Sequence, residues 1–259
     1  MSLIDSHCHL VYDGLAERQS EVLAAARARG VPGFLNISTR QREWDAVIAV
    51  ADREPDVWAT VGVHPHEADA HPDLGAAALV EASSHPRVIA IGECGLDYHY
   101  DKSDRAAQRD RFQAHIEAAR ETGLPLVVHT RDAEDDTAAI LSREVGKGGV
   151  SGVLHCFTGS AALARIALDL GLYVSMSGIV TFKNAVDLQE IAKTIPQDRL
   201  LVETDAPFLA PVPNRGKMCE PAFVADTAAF VADLRGVDYD DLARTTTANF
   251  FRLFEKAAT

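Results

Sequence analysis

Short apolar runs alternate along the chain with longer segments whose apolar residues recur at a helical period. Eight of these runs are rich in β-branched and other aliphatic residues, and we predict that they are strands. They cover residues 3–4, 33–37, 57–63, 88–91, 125–128, 150–154, 172–174 and 200–202. Strands that alternate with helices are typical of a parallel sheet covered by helices, and eight strands close a (β/α)8 barrel.

The segments between the runs end where helices are expected to end. Residues 15–29 stop before Gly30, and residues 104–122 stop before Gly123. Glycine ends a helix readily because it adopts the left-handed conformation without a steric penalty. The closing helices are predicted at residues 221–234 and 239–255.

We therefore predict an α/β fold with a single (β/α)8 barrel of the TIM type, forming one domain over residues 1–259. The length suits one barrel, and no linker rich in Pro, Gly or Ser divides the chain. An open, doubly wound sheet shows the same alternation of strands and helices, so it remains the alternative.

The composition indicates a globular protein, since 47% of the residues are hydrophobic and 24% are charged. The segment after Met1 has no basic stretch followed by an apolar one, and no apolar run approaches bilayer length. We expect a cytoplasmic protein without membrane contact or an obligate protein partner. The cysteines lack CxxC spacing and are expected to be small packed side chains: Cys8, Cys94, Cys156 and Cys219.

The formal net charge of -13 argues against broad, nonspecific binding of duplex nucleic acid. That mode of binding needs many Lys and Arg side chains to release counterions from the phosphates. A nucleic-acid substrate is still compatible with this charge, because bound cations and a few basic residues can reverse the field inside one cleft.

Ionisable residues follow the predicted strands repeatedly, at the ends where barrel enzymes hold their active sites. Six of the ten histidines and two carboxylates have this position. They are His7, His9, His64, His66, Glu93, His129, His155 and Asp205. One such histidine would more often be structural, but imidazoles from four strands and carboxylates from two more predict a metal site.

His7 and His9 are two residues apart, so both side chains project from one face of an extended strand and can bind one ion. Cys8 then points the other way. Four imidazoles and two carboxylates exceed the needs of one four-coordinate ion, so we predict two divalent ions with Glu93 as the bridging ligand. These residue types suit zinc, magnesium or manganese without choosing among them.

Basic residues also follow the predicted strands. Arg131 comes after His129, and Lys183 lies in a loop further along the chain. A proline-rich stretch at residues 206–213 stiffens the loop that carries Arg215 and Lys217 beside Asp205. These cations could bind phosphate groups.

Seven sequence blocks carry a family resemblance: residues 5–9, 62–66, 92–97, 129–131, 155–159, 177–183 and 203–207. In order and spacing they resemble the signatures of the TatD family of metal-dependent deoxyribonucleases, within the amidohydrolase-like barrels, and the similarity spans nearly the whole chain. Many amidohydrolase-type barrels bridge their metals with a modified lysine at strand four. This chain has Glu93 there, which favours the nuclease-like branch.

The resemblance implies a specific set of metal ligands: His7, His9, Glu93, His129, His155 and Asp205. It also implies that His64 lies in the cleft and faces the substrate phosphate. Family members usually follow Arg-Gly-Lys with an Arg or similar residue and then Asn, where this chain has Met218 and Cys219. The chain therefore departs from the family pattern at outer substrate contacts and at no metal ligand.

We expect a hydrolase that cleaves phosphodiester bonds of DNA exonucleolytically, on single strands or frayed ends. A hydroxide activated by two divalent ions would attack the phosphorus, with Glu93 bridging the ions and Asp205 taking the proton of the water. Glu203 is expected to support a neighbouring ligand. The residues expected to stabilise charge on the phosphate are His64, Arg131, Arg215 and Lys217.

Two other functions fit the same residues. A metal-activated hydroxide also attacks amides and esters, including the ester bond of an aminoacyl-tRNA, and the fold does not separate these reactions. A non-catalytic, phosphate-binding barrel would need a glycine-rich phosphate loop after the last two strands, and the sequence has no convincing one. The basic residues near Asp205 favour a phosphodiester substrate.

Overall fold

Eight parallel strands form the centre of the protein, and each strand pairs with the next along the chain. The computed structural model describes residues 3–258, so the predicted domain limits at residues 1 and 259 lie outside the described residues. The strands are β1 (Ile4–Cys8), β2 (Gly33–Asn36), β3 (Val57–Val61), β4 (Val88–Asp97), β5 (Leu126–Arg131), β6 (Gly152–Leu154), β7 (Tyr173–Met176) and β8 (Leu200–Val202).

The ring of strands closes between the first strand and the segment after the last. The Asp205 N–H donates to the His7 carbonyl oxygen at 2.9 Å, and the His9 N–H donates to the Ala206 carbonyl oxygen at 2.8 Å. A doubly wound sheet would reverse its strand order at a switch point, whereas here the order is consecutive. The predicted (β/α)8 barrel is confirmed.

Helices surround this sheet. They are α1 (Gln19–Ala28), α2 (Trp44–Arg53), α3 (Ala76–Ser83), α4 (Arg105–Thr122), α5 (Glu134–Val145), α6 (Ala161–Asp169), α7 (Val186–Thr194), α8 (Val224–Arg235) and α9 (Tyr239–Leu253). The predicted helix at 15–29 is divided, since a 3-10 turn at Ala16–Arg18 precedes α1. Within residues 3–258, no helix combines the length and the apolar character that crossing a membrane requires.

Two apolar layers hold the barrel together. The larger layer lies between the strands and the surrounding helices. The smaller one fills the inside of the barrel near the amino ends of the strands, with Ile4, Trp58 and Ile89 among its members. Phe250 of α9 and Phe254 directly after this helix close this end, and the Phe250 ring lies 5.4 Å from the Trp58 ring. The polar side chains of the candidate site lie at the opposite end of the barrel, at the carboxyl ends of the strands.

Strand β4 continues to Asp97, six residues beyond the predicted end at residue 91. The extension forms because Gly95 pairs with His129 and Asp97 pairs with Arg131 on β5. The pairing register shifts between Gly92 and Cys94. Such an irregularity re-aims side chains at the rim of a barrel.

Glycine is required where these strand ends approach each other. A Cβ atom at Gly95, whose φ is +124°, would lie 2.0 Å from the His129 carbonyl oxygen. A Cβ atom at Gly62, at the end of β3, would lie 2.3 Å from the Gly92 carbonyl carbon. Any side chain at these positions would push β3, β4 and β5 apart.

His115 of α4 is a buried histidine that connects this helix to the end of β3. Its Nε2 atom accepts a hydrogen bond from the Val63 N–H at 2.9 Å, while its Nδ1–H donates to the Arg111 carbonyl oxygen at 2.7 Å. Only the neutral ring can do both. Burial lowers the pKa of His115 to about 4. The contact fixes the backbone directly before His64.

This pKa predicts a loss of stability in mild acid. In the unfolded chain a histidine has a pKa of about 6.5, so the unfolded state takes up the proton first as the pH falls. The free energy of unfolding should then decrease by about 3 kcal/mol between about pH 6.5 and pH 4 on account of this one group. Urea unfolding of the wild type and of His115→Gln at several pH values measures this contribution.

The His115→Gln variant should lose this part of the pH dependence, whatever its stability at neutral pH. His85→Gln provides the matched control, because His85 is partly exposed. Identical pH dependence in the wild type and in His115→Gln would contradict the prediction.

Candidate metal centre

Histidines and carboxylates from the carboxyl ends of several strands meet at the mouth of the barrel. The structure brings together all six predicted ligands and His64, and pairs of their nitrogen and oxygen atoms lie 2.8 to 3.9 Å apart. The central residue is Glu93 of β4, whose side chain is 3% exposed. A carboxylate buried to this degree needs positive charge or hydrogen-bond donors around it.

One side of the cluster is formed by the first strand and the segment after the last. His7 Nε2 and His9 Nε2 lie 3.3 Å apart. Asp205 Oδ1 is 3.6 Å from His7 Nε2 and 3.4 Å from His9 Nε2. Glu93 Oε2 is 3.5 Å from His7 Nε2 and 3.9 Å from His9 Nε2. These four side chains surround one small space.

The other side of the cluster faces the second oxygen of Glu93. His155 Nε2 lies 2.8 Å from Glu93 Oε1, His129 Nδ1 lies 3.3 Å from it, and His64 Nε2 lies 3.4 Å from it. Each carboxylate oxygen of Glu93 therefore has its own set of imidazole neighbours. His64 thus has a possible ligand position beside Glu93 and His129, in addition to the phosphate-facing place predicted for it.

The pairing of β1 with β2 is irregular near the end of β1, where His7 and His9 lie. The pairing register with β2 shifts between Asp5 and Cys8. The Nε2 atoms of both His7 and His9 reach the cluster, while the Cys8 thiol donates to the Leu35 carbonyl oxygen at 3.6 Å. Burial raises the pKa of the Cys8 thiol well above its usual range, which suits a packed side chain rather than a ligand.

The charges inside the cluster favour an ionised carboxylate beside protonated imidazoles. Burial raises the pKa of Glu93, but the charge of His155 and the hydrogen bonds from His129 and His155 outweigh burial and hold the pKa well below its usual value. Burial lowers the pKa of His155, but Glu93 and Glu203 outweigh burial and raise it well above normal. Protons and a metal cation therefore compete for the same nitrogen atoms.

The donor set fits a divalent cation. Three groups of side chains each place their ligand atoms close enough together to hold an ion. They are His7, Glu93 and His155; His7, His9 and Asp205; and His64, Glu93 and His129. Imidazoles and carboxylates are ligands of zinc and manganese, and the buried positions leave little water to satisfy them otherwise.

Asp97, four residues after Glu93, orients one of the predicted ligands. Its Oδ2 atom accepts a hydrogen bond from His129 Nε2–H at 3.0 Å, which leaves His129 Nδ1 to face Glu93. His66 Nε2 lies 2.9 Å from the same oxygen. Burial raises the pKa of Asp97, but hydrogen bonds from His129 and His66 outweigh burial and hold the pKa well below normal.

Asp97 was not among the predicted site residues, although the sequence contained a usable signal. It lies four residues after Glu93, which places both on one face of a strand if the strand continues. Because the strand was predicted to end at residue 91, the spacing of Glu93 and Asp97 did not indicate a shared strand face.

Glu203 orients His155 in the way that Asp97 orients His129. Its Oε1 atom accepts hydrogen bonds from the Cys156 N–H at 2.8 Å and from His155 Nδ1–H at 3.2 Å. His155 Nε2 is thereby left to face Glu93. Strand β8 ends at Val202, so strand alternation does not set the direction of Glu203.

A buried pair anchors the segment that carries Glu203 and Asp205. The Asp5 carboxylate accepts hydrogen bonds from the Thr204 hydroxyl at 2.6 Å and from the Thr204 N–H at 2.8 Å. Burial raises the pKa of Asp5 to about 8, against the opposing effect of these hydrogen bonds. This contact joins the start of β1 to the end of β8 directly below the cluster.

The predicted basic contacts to phosphate are exposed and lie outside the cluster, Arg131 as the last residue of β5 and Arg215 and Lys217 in the loop after β8. The Arg131 guanidinium is 4.9 Å from the centre of the Tyr100 ring, and the Arg215 guanidinium is 3.8 Å from the centre of the Phe182 ring. Lys217 Nζ is 3.4 Å from Asn214 Oδ1. In the described part of the chain, none of these three cations lies within ion-pair distance of a carboxylate.

The two residues that depart from the family pattern have different surroundings. Met218 is exposed, and its Cε atom comes so close to Gly14 that a Cβ there would lie 2.3 Å from it. Cys219 is buried, and the described cysteines form no disulfide. The Cys219 N–H donates to the carbonyl oxygen of Pro207, two residues after Asp205, at 3.0 Å.

The contact from Asp97 generates a prediction about metal affinity. Asp97→Asn keeps an oxygen near His129 but removes the charge, so the variant should bind Zn²⁺ or Mn²⁺ 10- to 100-fold more weakly, about the usual effect of losing such a partner. Competition with a fluorescent chelator measures the affinity. Asp187→Asn is the matched control, because Asp187 is exposed in the first turn of α7. Equal affinities in the wild type and in both variants would rule out the role of Asp97.

Comparison with known proteins gives the family of the chain. The family model for TatD related DNase matches residues 4–255. The uncharacterized metal-dependent hydrolase YcfH of Escherichia coli K12 is 45% identical over 257 residues, which cover 98% of this chain and 96% of that protein. The 3'-5' ssDNA/RNA exonuclease TatD of Klebsiella pneumoniae is 36% identical over 258 residues, covering 97% of each.

A solved structure gives the same result for the fold. The crystal structure of YjjV, a TatD homologue from Escherichia coli K12, superposes with a TM-score of 0.90 at 27% identity and covers 98% of both chains. The family match, the identities and the superposition each extend over nearly the whole chain. The chain therefore belongs to the TatD family of metal-dependent hydrolases.

Proposed function

We propose that this protein is a deoxyribonuclease that hydrolyses phosphodiester bonds of single-stranded DNA or frayed ends, removing nucleotides from an end. The observation that carries the proposal is the position of Glu93, whose two oxygens face separate sets of imidazoles. The exonuclease named among its relatives supports the same substrate class. The barrel would act as one domain over the whole chain.

Two divalent ions would occupy the cluster, with Glu93 bridging them. His7, His9 and Asp205 would hold the first ion, since their donor atoms surround Glu93 Oε2. His129 and His155 would hold the second ion beside Glu93 Oε1. Zinc, manganese and magnesium are the candidate ions, and the imidazole content suits the first two best.

Ions bound there would polarise the phosphoryl oxygens and lower the pKa of a water molecule. Asp205 would accept the proton of the attacking water, whose oxygen forms the new bond to phosphorus. The bond from phosphorus to the sugar oxygen then breaks, leaving a phosphate monoester and a hydroxyl group. Asp205 is available for this task because it lies at the open side of the cluster, 13% exposed, and because His9 and His7 outweigh burial and lower its pKa, which keeps the carboxylate ionised.

The phosphate would be positioned by groups above the ions. His64 is partly exposed beside Glu93 Oε1 and would face the phosphate from the cleft. Burial holds the pKa of His64 well below normal, so its ring is neutral and can donate one hydrogen bond. Arg131, Arg215 and Lys217 would neutralise the charge that develops on the phosphate.

Metal dependence is the first test of this function. Chelation should abolish release of nucleotides from a labelled single-stranded oligonucleotide, and Zn²⁺ or Mn²⁺ should restore it, with saturation near two ions per chain measured by elemental analysis. Hydrolysis of a model carboxylic ester without any nucleotide release would instead favour the ester or amide activity predicted above.

Asp205→Asn should abolish turnover on the oligonucleotide, because the variant loses a metal ligand and the acceptor of the proton. Circular dichroism should show an unchanged fold. Asp187→Asn serves as the control substitution. Near-normal cleavage by Asp205→Asn would remove Asp205 from the mechanism.

Arg215→Ala should raise KM for the oligonucleotide more than it lowers kcat, because the side chain would contact the substrate away from the reacting bond. Steady-state kinetics at several salt concentrations measure both constants. Arg165→Ala on α6 is the control, since Arg165 is exposed and pairs with Asp169. An unchanged KM in Arg215→Ala would reject this contact.

A further inference from the structure

Exposed apolar side chains are concentrated at the mouth of the barrel. Among residues 3–258, six large hydrophobic side chains are exposed, and two of them are aromatic. Tyr100 is 53% exposed in the loop after β4, and Phe208 is 49% exposed in the loop after β8. Exposed apolar side chains that gather around one opening, rather than being scattered singly, indicate a binding site.

The two rings lie on opposite sides of the mouth. Strands β4 and β8 are four places apart in a closed ring of eight, so their carboxyl ends face each other across the barrel. With standard strand spacing and tilt, the ring of strands is roughly 15 Å across. The metal centre lies between the two loops.

Each ring is next to a different half of the metal centre. The centre of the Phe208 ring is 6.3 Å from that of His9, which faces Glu93 Oε2. The centre of the Tyr100 ring is 5.4 Å from that of His66, which shares Asp97 with His129 on the Glu93 Oε1 side. A phosphate at the metal centre would therefore have one aromatic ring on each side.

No neighbouring ring stacks in parallel on either aromatic side chain in the described part of the chain. The planes of Phe208 and Tyr12 meet at 82°, and those of Tyr100 and His66 meet at 88°. Arg131 and Lys102 lie over the Tyr100 ring at 4.9 and 5.5 Å, so a base that stacks there would displace a cation from the ring, and the cation would then be next to the phosphates of the strand. Aromatic rings combined with cations are the usual platform for single-stranded nucleic acid.

We propose that Tyr100 and Phe208 stack on unpaired bases flanking the phosphate to be cleaved, one base on each side of the metal centre. This proposal rests on the proposed nuclease function. Stacking accepts every base because every base has a π face, so it selects for unpaired strands without selecting sequence. A base pair inside a duplex does not present its faces to such rings.

The experiment compares two single-stranded oligomers of equal length, oligothymidylate and a fully abasic oligomer with the same phosphodiester backbone. Tyr100→Ala and Phe208→Ala should each lower kcat/KM on oligothymidylate by about tenfold. The loss on the abasic oligomer should be much smaller, since that oligomer has no bases to stack. Tyr100→Trp and Phe208→Trp should restore activity on oligothymidylate.

A second measurement follows stacking directly. A phosphorothioate oligomer that contains 2-aminopurine and resists cleavage, bound to the metal-loaded protein, should show quenched fluorescence that is relieved in the Tyr100→Ala and Phe208→Ala variants. Val237→Ala is the matched control in both experiments, because Val237 is exposed after α8, at the opposite end of the barrel.

The outcomes separate the two levels of the proposal. Equal losses on both oligomers, or no loss on oligothymidylate, would overturn the stacking role while leaving the nuclease function in place. A wild-type protein that cleaves neither oligomer would overturn the nuclease function and the stacking role with it.

Discussion

The site depends on one buried negative charge. Glu93 has almost no contact with solvent, so its carboxylate must be balanced from within the protein. The imidazoles around it do this from both sides, and two of them are oriented by further carboxylates, His129 by Asp97 and His155 by Glu203. Metal cations or protons can balance the charge of the Glu93 carboxylate, whereas apolar side chains could not. The constraint explains why polar residues occupy one end of the barrel and the apolar side chains beside Phe250 occupy the other.

The fold could be predicted from sequence because its determinants are local and repeated. Alternating apolar runs and helical segments recur along the chain, and a glycine after α4 ends that helix where expected. The residues predicted to be ligands could be found for the same reason, because the apolar runs show where each strand ends. The pair of Asp5 with Thr204 could not, because its role arises from a contact between distant segments, and Asp97 could be found only if β4 were predicted at its full length.

The length of β4 shows what limited the sequence interpretation. Residues 92–97 contain two glycines and a cysteine, and their local propensity for a strand is weak. Pairing with β5 overrides this propensity and extends the strand to Asp97. Tyr100 and Phe208 could not be predicted as a pair for a related reason. A single aromatic residue in a loop has no periodicity that the sequence could show. Only the closed ring of strands places the two residues on opposite sides of one opening.

The Asp97 carboxylate has a second consequence, which concerns thermodynamic linkage. Its Oδ2 atom holds His129, while its Oδ1 atom accepts the backbone N–H of Tyr100 at 2.9 Å. The rim loop and His129, a predicted metal ligand, are thus attached to one rigid group. Coupling free energies between two ligands are reciprocal, so a molecule that shifts the Tyr100 backbone would alter the affinity for an ion at His129 by the same factor that the ion alters the affinity for that molecule. Occupancy of the mouth and retention of that ion would form one coupled equilibrium.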